Sequence, residues 1–147
     1  MNDPTEVLHT HTVRVYWEDT DAGGVVFYAN YLKFFERART EWLRTLGHSQ
    51  EALRTQAVDE RGAAMFMVAD TQVRYLRPAV LDDALDITVE LVEARSASLV
   101  VAQRALRQGL LLAQGQIKIA CVNPHSLKPR RLPDALLAAL PVRPPTP

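Results

Sequence analysis

The apolar positions of this chain follow two different periods. Residues 12–18 alternate, with Val13, Val15 and Trp17 on one side, and this alternation predicts a half-buried strand. From residue 29 to residue 46 the apolar residues recur every three or four positions, which predicts one long amphipathic helix. The buried stripe of that helix would consist of Tyr31, Phe35, Ala38, Trp42 and Leu46. Gly47 is a typical helix stop, and Ser49 is a typical N-cap for a second helix at about residues 50–57.

Strands dominate the rest of the chain. Four strands are predicted at residues 64–77, 85–93, 98–107 and 111–122, with a hairpin turn at Gln108-Gly109 and a short helix over residues 133–140. Long strands joined by short links indicate an antiparallel sheet that curls. We therefore predict an α+β fold in which about five strands wrap one central helix. The outer face and the edges of such a sheet need cover, which predicts a homo-oligomer.

The length and composition fit one ordinary globular domain. We expect a flexible arm at residues 1–10, a single domain at residues 11–140 and a disordered, proline-rich tail at residues 141–147. Seventeen basic residues balance 17 acidic ones, so no net charge would recruit nucleic acid or an anionic membrane. Because the sequence has one cysteine, no apparent signal peptide and no apolar run long enough to span a bilayer, we predict a cytoplasmic protein.

The segment between the first strand and the long helix carries the candidate chemistry. Asp21 lies beside a flexible Gly23-Gly24 turn, and the helix that follows begins with free N–H groups and a positive dipole end. Val25, Val26 and Phe27 would form an apolar wall that desolvates the carboxylate. A carboxylate beside an oxyanion site can hydrolyse an activated carbonyl, with the N–H of Tyr28 as the donor. The alternative for Asp21 is an ordinary solvated loop residue.

Other polar residues fit structural roles or other sites. Glu18 and Asp19 are predicted to hold the loop and Asn30 to cap the helix, while Glu36 is either an arginine-paired surface residue, which we favour, or a residue that faces the site. The cluster Lys128, Arg130 and Arg131 is either a solvated loop or a clamp for the phosphates of a nucleotide-like group. The chain has no serine-esterase elbow and no phosphate-binding loop, and its histidines show no metal-ligand spacing.

Two motifs carry a family resemblance. The run Asp19-Thr-Asp-Ala-Gly-Gly-Val-Val-Phe-Tyr-Ala-Asn-Tyr31, followed by Phe35-Glu-Arg-Ala-Arg-Thr-Glu41, resembles the signature of the 4-hydroxybenzoyl-CoA thioesterase family. Within that family the chain is most similar to the Tol-Pal-associated acyl-CoA thioesterases. The strings Tyr75-Leu-Arg-Pro-Ala-Val-Leu-Asp-Asp83 and Cys121-Val-Asn-Pro-His-Ser-Leu-Lys-Pro-Arg130 fit the same group.

The resemblance implies a hot-dog fold, a dimer or tetramer with active sites at the dimer interface, and hydrolysis of an acyl-CoA without a cofactor or metal. It implies that Asp21 is the catalytic carboxylate and that the backbone N–H of Tyr28 polarises the thioester carbonyl. Gly23, Gly24, Val25 and Phe27 would contact the substrate, while Lys128, Arg130 and Arg131 would hold the CoA phosphates. An acyl carrier protein is a further expected partner. Two alternatives stay open, namely a protein that binds acyl-CoA or acyl carrier protein without significant turnover, and a hot-dog dehydratase.

Overall fold

The computed structural model describes residues 8–141, so most of the predicted arm and residues 142–147 of the predicted tail lie outside the described residues. The strands are β1 (His9–Arg14), β2 (Met65–Tyr75), β3 (Ala84–Ala94), β4 (Ser98–Arg107) and β5 (Leu110–Val122). The helices are α1 (Asn30–Thr45), α2 (Gln50–Thr55) and α3 (Asp134–Ala139), and a 3-10 turn spans Trp17–Asp19.

The five strands form one antiparallel sheet in the order β1-β3-β4-β5-β2, so that β1 and β2 are its edges. The predicted hairpin between β4 and β5 is confirmed. Gln108 and Gly109 both have positive φ angles, 49° and 80°, as a tight two-residue turn matched to the twist of the sheet requires.

Helix α1 lies against the inner face of the sheet and supplies the centre of the core. Of its predicted stripe, Tyr31, Phe35, Ala38 and Trp42 are buried, and Leu46 is partly buried against them. The ring of Phe35 comes close to β5 at Gly115, where a Cβ atom would lie 3.5 Å from the ring and 2.6 Å from the carbonyl oxygen of Gln72. A glycine at this position therefore lets β2 approach β5 closely beside the Phe35 ring.

The first strand differs from its prediction at both ends. It begins at His9, where it pairs with β3, so residues 9 and 10 of the predicted arm belong to the sheet. It ends at Arg14, and Trp17 is 80% exposed rather than buried. The cause is local: the N–H of Asp19 donates to the carbonyl of Tyr16, which closes a turn and takes Trp17 off the alternating face.

The helix starts confirm one predicted N-cap, Ser49, and correct another, Asn30. The Ser49 hydroxyl accepts a hydrogen bond from the N–H of Ala52 at 3.0 Å, as an N-cap should, although α2 ends at Thr55. Asn30 does not cap α1. It is the first helical residue, with Ala29 as the N-cap, because the Asn30 side chain is used to tie the preceding loop.

Candidate active site

Asp19 holds the loop that carries the candidate carboxylate. Its buried side chain accepts a hydrogen bond from the N–H of Tyr16 at 2.8 Å. Its carbonyl oxygen accepts from the N–H of Phe27 at 2.9 Å and from the side-chain amide of Asn30 at 2.8 Å. These bonds tie both ends of the loop to the start of α1, which confirms the structural role predicted for Asp19.

Asp21 lies in a smaller turn within this loop. The N–H of Gly23 donates to its Oδ1 at 2.8 Å, and its backbone N–H donates to the carbonyl of Val25 at 2.8 Å. Gly24 has a φ of 81°, which a residue with a side chain rarely adopts. A Cβ atom at Gly23 would lie 3.3 Å from Oδ1 of Asp21, so both glycines let this turn hold the carboxylate in one orientation.

The apolar wall predicted around Asp21 is incomplete within one chain. Val26 turns into the core, Val25 is half-buried, and Phe27 is 44% exposed. Asp21 is itself exposed. The carboxylate is therefore oriented by its turn but not desolvated by its own protomer.

Within the described residues, the start of α1 offers unpaired backbone N–H groups beside this turn, those of Tyr28 and Ala29. The N–H of Asn30 is used by the carbonyl of Phe27 at 2.8 Å, whereas the N–H of Tyr28 has no acceptor among residues 8–141. The Tyr28 carbonyl accepts a hydrogen bond from the hydroxyl of Tyr75 at 3.0 Å. Tyr75 lies at the end of the edge strand β2, so this bond links the sheet edge directly to the start of α1.

An exposed aromatic patch surrounds the Tyr28 donor. The Tyr28 ring is 63% exposed and lies between the rings of Phe27, at 4.9 Å, and Tyr75, at 6.0 Å. Beside it an open cleft is lined by Tyr31, Leu76 and Pro78 among others. Exposed apolar surface of this kind marks a binding site or an interface. The sequence does not mark Tyr75 as a site residue, because its contact with Tyr28 spans 47 positions and leaves no local signal.

Comparison with known proteins places the chain in a family. Residues 15–140 match the model of the thioesterase-like superfamily. The chain is 46% identical over 127 residues to an acyl-CoA thioester hydrolase, YbgC, of Escherichia coli O6:H1, covering 86% of this chain and 90% of the relative. Acyl-CoA thioesterase YbgC of Haemophilus influenzae is 45% identical over 127 residues, covering the same shares of the two chains. The crystal structure of a probable thioesterase from Bartonella henselae has a TM-score of 0.82 at 35% identity and covers 86% of this chain and 100% of that one.

The chain belongs to the thioesterase-like superfamily. It is a thioester hydrolase with the hot-dog fold, and the family resemblance seen in its sequence motifs is confirmed.

Three basic residues after β5 are predicted to hold the phosphates of a CoA substrate. Of the three predicted cations, Lys128 and Arg131 are exposed. Arg130 is only 8% exposed, and its guanidinium donates to Asp59 Oδ2 at 2.7 Å and to the carbonyl oxygens of Gly62, Ala63 and Arg131. Four of its five N–H groups already have protein acceptors, which favours a structural role, and phosphate binding by Arg130 stays a prediction.

The Asp59–Arg130 pair is a structural element of this thioesterase. Burial alone would raise the pKa of the Asp59 carboxyl, but hydrogen bonds from Arg130 and from the backbone of Arg61, together with the two guanidinium charges, hold that pKa below its ordinary value. The pair fastens the loop after α2 to the segment after β5.

Residues 8–141 contain no group of three or more His, Cys, Asp or Glu side chains placed to hold a metal ion. None of the helices in that range combines the length and apolar character that a membrane crossing requires.

Proposed function

We propose that this protein hydrolyses acyl-CoA thioesters, with Asp21 as the catalytic carboxylate and the N–H of Tyr28 as an oxyanion donor. The observation that carries the proposal is the shared anchoring of these two groups. Asp21 is oriented by the N–H of Gly23, and the loop between Asp21 and Tyr28 is closed by the bonds that Asp19 makes. Relatives named as acyl-CoA thioesterases supply the substrate class.

Two chemical routes use the same residues. In the first, Asp21 removes a proton from water as the water oxygen attacks the thioester carbon, the carbon–sulfur bond breaks, and the proton passes to the departing CoA thiolate. In the second, an Asp21 oxygen attacks the carbon, CoA leaves as the thiolate, and water then hydrolyses the resulting anhydride. In both routes the carbonyl oxygen gains negative charge, which the free N–H of Tyr28 would stabilise.

We further propose that a second copy of the chain completes the site. Strand β2 is an edge of the sheet, and three of its large apolar residues, Met67, Val68 and Tyr75, are exposed. An open apolar edge is a template for pairing with another strand. Because Tyr75 contacts Tyr28, a copy paired along β2 would lie beside the catalytic turn and supply the cover that Asp21 lacks within one chain.

The direct test of the proposal is Asp21→Asn, which keeps the shape of the side chain and removes its basicity. We expect the rate of hydrolysis of each acyl-CoA in a panel, measured as release of the CoA thiol, to fall at least about 100-fold. Asp134→Asn is the matched control, because Asp134 is exposed at the start of α3. Undiminished turnover in Asp21→Asn would refute the assignment. If the wild type binds a non-hydrolysable acyl-CoA tightly but releases no thiol from ordinary acyl-CoA substrates, a binding protein is favoured instead.

The remaining expectations are part of the same proposal. Lys128, Arg130 and Arg131 are the candidates for the CoA phosphates, with Lys128 and Arg131 the exposed ones, while Gly23, Gly24, Val25 and Phe27 would contact the substrate. A cytoplasmic location, a tetramer, an acyl carrier protein partner and the Tol-Pal association stay predictions.

A further inference from the structure

A second polar group lies inside the fold, away from the catalytic turn. Arg39, on the inner side of α1, is only 9% exposed. Its Nη1 donates to Oε1 of Gln103 at 2.9 Å, and the fully buried Gln103 in turn donates from Nε2 to the carbonyl of Phe35 at 3.0 Å. Gln103 thus holds the guanidinium in place, but as a neutral amide it cannot balance the charge.

The charge of Arg39 is not paired within the protomer. Among residues 8–141, no carboxylate oxygen lies within 4.0 Å of its guanidinium, and Nη1 makes its one side-chain hydrogen bond. Glu36, one helical turn away and exposed, acts on the charge only from a distance. Buried charges in proteins are normally paired and hydrogen-bonded, because an isolated one is costly to desolvate. The remaining donors of Arg39 therefore need an acceptor.

A pocket of about 210 Å³ adjoins this guanidinium. Arg39 and Glu36 are its charged lining residues, and most of the rest of the wall is apolar, formed by Trp42, Leu43, Phe66, Leu99 and Ile119. The pocket lies between the second half of α1 and the first half of β2. Arg39 is nine residues beyond the start of α1, about 13 Å along the helix axis, so the pocket is separate from the catalytic turn of the same chain.

We propose that this pocket binds a small organic carboxylate, with the carboxylate on Arg39 and an apolar body against the aromatic and aliphatic wall. The planar guanidinium fork matches the two oxygens of a carboxylate, and apolar walls strengthen that interaction by excluding water. A pocket of about 210 Å³ favours short acids. The proposal does not rest on the catalytic assignment, since binding can be measured without turnover.

The test is calorimetric titration of the full chain with butanoate and hexanoate, with hexanamide as the uncharged control. We expect saturable binding of a carboxylate, one per chain, and at least about tenfold weaker binding of the amide, since charge-assisted hydrogen bonds contribute roughly 1.5–3 kcal/mol. Arg39→Met should weaken carboxylate binding by about 10- to 100-fold on the same basis. Arg37→Gln, an exposed neighbour on the same helix, should leave it unchanged.

Two further variants keep the proposal testable if Arg39→Met does not fold. Glu36→Gln removes a like charge near the bound carboxylate and should tighten binding, while Gln50→Trp, at an exposed position on the pocket rim, should block it. The proposal is overturned if neither acid binds, if hexanamide binds as tightly as hexanoate, or if Glu36→Gln weakens binding. The Asp21→Asn variant should bind hexanoate as the wild type does, so failure here is distinct from failure of the proposed catalysis.

Discussion

The variant Arg130→Met separates a structural arginine from a substrate-binding one. In the wild type the guanidinium lies 2.7 Å from Asp59 Oδ2, with 6% and 13% of the two side chains exposed, and it also serves three backbone carbonyls. Methionine keeps much of the apolar volume but leaves the carboxylate without its buried partner. Breaking a buried pair in this way costs about 3–5 kcal/mol. For a chain of this size each kcal/mol corresponds to about 2–4 °C, so the unfolding midpoint should fall by roughly 6–20 °C.

Thermal and urea unfolding would measure this loss, and the KM for an acyl-CoA would be measured on the same samples below the lowered midpoint. Lys128→Met and Arg131→Met are the controls. Because both side chains are exposed, they should raise KM with little change in unfolding midpoint. The reasoning is refuted if Arg130→Met leaves the midpoint unchanged and raises KM, because Arg130 would then be acting on the substrate.

The same pair predicts a dependence on pH. The folded-state pKa of Asp59 is lowered, so its stabilising contribution is fully present above the ordinary carboxyl pKa of about 4 and is lost as the pH falls through the lower folded value. Unfolding midpoints measured from pH 6 to pH 2 should therefore decline more steeply for the wild type than for Arg130→Met. If the unfolding midpoints of the two proteins decline equally, Arg130 does not lower the folded-state pKa of Asp59.

Two further predictions concern the packing of the sheet and its edge. Gly115→Ala should destabilise the fold by about 1–3 kcal/mol through overpacking, because the new Cβ atom would lie 2.6 Å from the Gln72 carbonyl oxygen. An unchanged midpoint of urea unfolding would contradict the close approach seen at this position. The exposed edge β2 predicts that light scattering at micromolar concentration gives the mass of a dimer or tetramer, and a stable monomer would count against the completion of the site by a second copy.

Much of the fold could be predicted because its signals are local. The buried stripe of α1, the Ser49 cap and the Gln108-Gly109 turn each depend on residues a few positions apart, and the structure confirms them. Trp17 shows where this reasoning fails. Its alternation with Val13 and Val15 predicts burial, but a turn closed between Tyr16 and Asp19 outweighs the pattern.

The candidate site could be predicted only in part, for the same physical reason. The Asp21 turn is built from neighbouring residues, so its sequence identifies it. The contact of Tyr75 with Tyr28 and the bond between Arg39 and Gln103 join residues 47 and 64 positions apart, and no periodicity reports such pairs. For Asp21 the sequence left open both a desolvated carboxylate and a solvated loop residue, and within one chain the side chain is exposed because Val25 and Phe27 cover it incompletely.

Three arginines of this chain show that residue type alone does not assign a role. Arg130 is buried with four of its five N–H groups bound to protein oxygens, so it holds the loop after α2 to the segment after β5. Arg131, next to it, is exposed and remains available to a phosphate. Arg39 is as buried as Arg130 but makes one side-chain hydrogen bond to a neutral amide. Burial makes an unpaired charge costly. A buried arginine whose N–H groups lack protein acceptors therefore marks a candidate ligand site.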